Sequence, residues 1–114
     1  MRPTVPTVKI NLDKERTLRF DFNALAAFED ETGQSALKLE VWRNPNAKIL
    51  RALLWAAMLY EDAGVTIKQV GAMLHTGNLK YVSEKIQEAS EAANPDIKEE
   101  EPEPESKNVG LPTG

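Results

Sequence analysis

The chain has no cysteine, one histidine and few aromatic residues, which make up 6% of its 114 positions. Without cysteine there is no thiol nucleophile, no disulfide framework and no thiolate metal site, and the composition fits a reducing compartment. The lone His75 falls in the last turn of an expected short helix. There the helix dipole favours a partly positive imidazole without any further role. No apolar run reaches the ~18 residues of a membrane span, and the opening Met1-Arg2-Pro3-Thr4-Val5-Pro6 has no apolar stretch of signal-peptide length. A phosphate-binding loop is missing as well, because Gly33, Gly64, Gly71 and Gly77 are spaced as helix punctuation. These absences argue against an enzyme, a cofactor, a metal site or a membrane partner, and they make the cytoplasm the expected compartment.

The composition that remains is that of an ordinary single domain, 41% hydrophobic and 28% charged. Charge is divided unevenly along the chain. From Pro95 onward, Asp96, Glu99, Glu100, Glu101, Glu103 and Glu105 face only Lys98 and Lys107, so this stretch carries the whole formal charge of −4. Residues 1–94 balance acids against bases and lack the positive field that would gather phosphates. The Glu-Pro repeats and the closing Gly-Leu-Pro-Thr-Gly predict a disordered acidic tail over 95–114, because such a sequence buries too little surface to offset ordering.

The pattern over 1–94 predicts an α+β fold, mainly α: an N-terminal β-hairpin and a compact bundle of four to five short helices. Val8, Ile10 and Leu12 alternate with polar residues, as do Leu18 and Phe20, giving a hairpin over 8–20 that turns through Asp13-Lys14-Glu15-Arg16. That turn lacks Gly and Asn, so a loop longer than two residues is expected. Pro3 and Pro6 cannot donate ladder hydrogen bonds, so the first strand is an edge or frays at its start, and its residues Val8, Ile10 and Leu12 are candidates for self-association by strand pairing. Helices are expected at about 22–32, 35–42, 47–61, 67–75 and 79–93. Asp21 or Asn23, Asn46, Thr66 and Asn78 are their candidate caps. Phe22, Leu25 and Phe28 would share a face of the first, Leu37 and Val41 of the second, and Ile67, Val70 and Leu74 of the fourth. The segment Ala47 to Glu61 is apolar nearly all round, so it is either wrapped by its neighbours or keeps one side for a partner. Leu79, Val82, Ile86, Ala89 and Ala93 form an apolar stripe on the last helix.

Glu29-Asp30-Glu31 and Glu61-Asp62 lie at expected helix ends and read as solvated surface, since a catalytic pair needs burial to separate its pKa values. Thr66 to Ile86 has the outline of a helix-turn-helix. Its second helix, however, carries Glu84, Glu88 and Glu91 against Lys80 and Lys85, which opposes a phosphate backbone, so no nucleic-acid partner is expected. Sulfur and aromatic side chains such as Trp42, Trp55, Met58, Tyr60 and Met73 are core formers that also line grooves accepting varied helices.

The stretches Arg16 to Leu25, Ala52 to Asp62 and Val65 to Gly71, in this order and spacing, resemble the tail assembly chaperones of long-tailed bacteriophages, in the branch related to gene transfer agents. The resemblance covers most of residues 8–90 and stops before the acidic tail. It implies a non-enzymatic assembly factor in the host cell cytoplasm that binds and solubilises the tape measure protein, gives way to tail tube protein and is absent from the virion. It also implies a gene that is often extended by a ribosomal frameshift. On this reading Leu54, Trp55, Met58, Leu59, Met73, Leu79, Val82 and Ile86 are the expected partner-binding residues. The alternative is a structural tail completion or adaptor protein retained in the particle.

Overall fold

The computed structural model describes residues 5–93, so the expected disordered tail lies outside the described residues. Within them the chain is α+β and mainly α: strands β1 (Val8–Asn11) and β2 (Glu15–Leu18), then helices α1 (Phe22–Thr32), α2 (Leu39–Arg43), α3 (Ala47–Met58), α4 (Ile67–Ala72) and α5 (Leu79–Ala93).

The strands pair antiparallel with Val8 opposite Leu18 and Ile10 opposite Arg16. Alternation sends Val8, Ile10 and Leu18 to the core. The loop is longer than two residues, as expected, but it lies earlier than Asp13 to Arg16, because Glu15 and Arg16 belong to the second strand and Leu12, Asp13 and Lys14 connect the two. Arg16 has the same parity as Leu18 and is therefore drawn to the buried face, where it is 7% exposed. A charge so placed needs partners, and Asp13 and Asp62 supply them.

Helix starts follow local chemistry. Asp21 accepts from the Ala24 N–H at 2.9 Å, Asn46 from the Ile49 N–H at 2.9 Å, and Thr66 forms a reciprocal capping box with Gln69. Asn78 stands directly before α5, its carbonyl accepting from the Val82 N–H at 2.9 Å, while its carboxamide accepts from the His75 N–H and donates to the Met73 carbonyl, tying the α4–α5 loop. Gly33 ends α1 at φ 73°, a left-handed conformation that a side chain would strain. Before α2, the Ala36 N–H goes to Glu29 and the Leu37 N–H to the Ser35 hydroxyl. These bonds hold 35–38 in a turn, so the second helix starts later than predicted and Leu37 stands exposed rather than sharing a face with Val41.

Helix α3 is the centre of the fold, touching α1, α4, α5 and β2. Leu50, Ala52, Leu53, Leu54, Ala56, Ala57 and Met58 are all buried, which answers the near-continuous apolar pattern in favour of a wrapped helix. Each fully buried Leu or Met contributes about 1.5–3 kcal/mol. Close approach of α4 is possible because Gly71 has no side chain; a Cβ there would lie 3.0 Å from Arg51 Cδ. Helix α5 buries Val82, Ile86 and Ala89 against β1 and α3. Of the predicted α1 face, Phe28 is buried and Leu25 half-buried, but Phe22 at the first helical position is 77% exposed. The inward face is set by Ala24 and Phe28, four residues apart. Among the described residues no helix is long and apolar enough to cross a membrane.

Candidate functional site

The residues expected to bind a partner are dispersed by the fold. Leu54, Met58 and Val82 are completely buried, and Ile86 nearly so. They are core residues, corrected from the expected contact surface, because α1, α4, α5 and the hairpin close over α3 on every side they face. Ile86 reaches only the wall of a small recess of about 100 Å³, shared with Trp42, Leu50 and Leu53. Trp55 is half-buried and spends its indole N–H on the Val65 carbonyl at 3.0 Å. Leu59 and Met73 are half-buried, and Leu79, at the start of α5, is 38% exposed.

The expected self-association residues are likewise turned inward. Val8 and Ile10 belong to the core, and Leu12 is half-buried in the hairpin loop. The strand edges are engaged as well. The Asn11 N–H on β1 donates to the Tyr81 hydroxyl at 2.9 Å. On β2, the Thr17 N–H donates to Glu61 Oε1 at 2.8 Å, and just past the strand the Arg19 N–H donates to the Ala57 carbonyl at 3.0 Å. Continued strand pairing would have to break these bonds.

Two other surfaces emerge. The first is aromatic. Tyr60, just past the end of α3, is 56% exposed, and the Arg19 guanidinium lies over its ring at 4.3 Å from the centroid. Arg19 Nε stands 3.6 Å from the Asp21 carboxylate that caps α1, the helix whose first residue is exposed Phe22. Leu37 and Leu39 add exposed apolar surface beside α2. Composition marked all of these as apolar; only the packing of α1 and the early end of α3 leave Phe22 and Tyr60 outside.

The second surface is a cleft of about 720 Å³ between the hairpin loop, the α3–α4 connection, α4 and the α4–α5 loop. Arg16 is its centrepiece. Its Nε and Nη2 donate to Asp13 at 2.9 and 2.8 Å, and Nη1 to Asp62 at 3.2 Å. These bonds hold the Asp13 carboxyl down at about 2, well below its usual 3.8, chiefly through hydrogen bonding from Arg16. Asp13 and Asp62 also raise the Arg16 pKa above its ordinary value. By sequence pattern Asp13 and Arg16 are turn residues and Asp62 is solvated surface; strand parity on β2 is the signal that Arg16 points inward. His75 lines the cleft, and its Nδ1 accepts from the Gly77 N–H at 3.1 Å. Among the described residues no group of His, Asp and Glu is arranged to hold a metal ion.

The segments that carried the sequence resemblance meet in space. Arg16 pairs with Asp62, the Arg19 N–H bonds to Ala57, and Trp55 bonds to Val65, so the hairpin, the end of α3 and the start of α4 form one packed unit. No family model, curated protein or solved structure matches the chain.

Proposed function

We propose that this protein is a tail assembly chaperone of a long-tailed bacteriophage: a non-enzymatic factor that holds the tape measure protein soluble in the host cytoplasm until tail tube protein replaces it. The observation that carries this reading is the exposure of Phe22 and Tyr60, each inside a stretch that resembles the family, where the fold does not need an exposed aromatic. Exposed rings of this kind accept apolar helical segments. The contact surface therefore centres on Phe22 and Tyr60, with Leu37, Leu39 and Leu79 as further exposed apolar positions. A long partner would take many copies, so self-association belongs to the same proposal, through a surface other than Val8 and Ile10.

Co-expression with the tape measure protein of the same phage tests the proposal. The chaperone raises the soluble fraction of that protein and copurifies with it, and a Phe22→Asp, Tyr60→Asp double variant does neither while keeping its helical circular dichroism. An insoluble tape measure protein alongside abundant, folded wild-type chain is the result that overturns the reading.

A further inference from the structure

Phe22 and Tyr60 do not line the Asp13–Arg16–Asp62 cleft, and its chemistry is of another kind. The Arg16 guanidinium is nine-tenths buried and has Nε, Nη1 and Nη2 committed to the carboxylates, so it is not a receptor for anions. Two carboxylates around one guanidinium leave an excess negative charge. The side chains of Asp13 and Asp62 are 46% and 44% exposed, and each carboxylate oxygen has more than one acceptor site. Leu12, Val65 and Met73 line the same space with apolar surface. A ligand matched to this lining has a cationic head and an aliphatic stem, which is the build of a lysine or arginine side chain.

We propose that this cleft receives a basic side chain from a partner polypeptide, with the head on Asp13 and Asp62 and the stem along Leu12, Val65 and Met73. The fit is one of charge and shape. The head completes the charge balance that Arg16 leaves unfilled, and a half-exposed pair of carboxylates allows entry without opening the core. The assignment stands whether or not the partner is a tape measure protein.

The test titrates the full-length, nitrogen-15-labelled chain with a blocked Ala-Lys peptide, the same peptide with norleucine in place of lysine, and spermidine. The lysine peptide produces saturable amide shifts at Leu12, Asp13, Val65 and Met73, and the norleucine peptide does not. Asp62→Asn, which leaves Arg16 paired to Asp13, weakens the lysine peptide roughly fivefold. Met73→Ala keeps both carboxylates and weakens it roughly twofold or more. Shifts that miss the cleft, that spread equally over Glu84, Glu88 and Glu91, or that are unchanged in both variants overturn the proposal. Saturation by spermidine without binding of the lysine peptide also overturns it, because the ligand is then a free polyamine.

Discussion

Leu54, Met58 and Tyr60 sit within one short stretch and belong to the same nearly continuous apolar pattern, yet packing gives them different work. Leu54 and Met58, four apart, form the buried side of α3, while Tyr60 lies beyond its end under Arg19. Leu54→Ala is therefore expected to lower stability in urea by about 2–5 kcal/mol. Met58→Asp places a carboxylate in an apolar core without a partner and should abolish the helical circular dichroism. Tyr60→Ala loses only the ring contact with Arg19, about 0.5–1 kcal/mol. A tolerated Met58→Asp would move that residue back to the surface. Asp13 makes a prediction in pH. Its folded pKa lies below its unfolded value, so the stability it adds is fully present above about 3.8 and disappears as pH falls towards about 2. Urea midpoints of wild type should fall more steeply through that window than those of Asp13→Asn, and parallel curves would remove Asp13 from the account.

At the scale of elements, the starts of α1, α3 and α4 were legible in the sequence, and the ends of α3 and α4 were not. Asp21, Asn46 and Thr66 cap through their own side chains, an interaction contained within a few residues, so the pattern announces it. Asp21→Ala and Asn46→Ala should each cost about 1 kcal/mol in urea unfolding. Helix α3 was expected to run to 61 and stops at Met58, because Glu61 and Asp62 turn away to meet the Thr17 N–H and Arg16 on the hairpin. Those partners are more than 40 residues distant in sequence, beyond the reach of a periodicity argument. Helix α4 was expected to reach 75 and ends at Ala72, where Met73 and Leu74 take tighter bonds to Val70 and Gly71. The candidate site suffered most from this limit. An apolar stripe shows that a helix face is buried, but whether a neighbour or a partner buries it depends on where other elements land. Val82 and Ile86 went to β1 and α3.

At the scale of the whole molecule, the distribution of charge yields a prediction that is independent of any partner. A chain that keeps Phe22 and Tyr60 exposed is liable to associate through them, and net charge is what opposes such association. Residues 1–94 balance their acids and bases, so the repulsion comes from the stretch after Asn94. With it the isoelectric point is about 5.0, and at neutral pH the chain carries −4. A chain ending at Asn94 would be least charged near neutrality, where the full chain is well clear of its minimum. Solubility measured against pH should therefore show a minimum near 5 for the full chain and near 7 for the shortened one. Phe22→Asp with Tyr60→Asp should restore solubility to the shortened chain by removing the apolar contact and adding charge together. Phe22→Ser with Tyr60→Ser removes the contact alone, so comparison of the two pairs separates the contributions. If the minimum stays near 5 after shortening, the acidic stretch does not govern solubility, and its charge must serve an interaction instead.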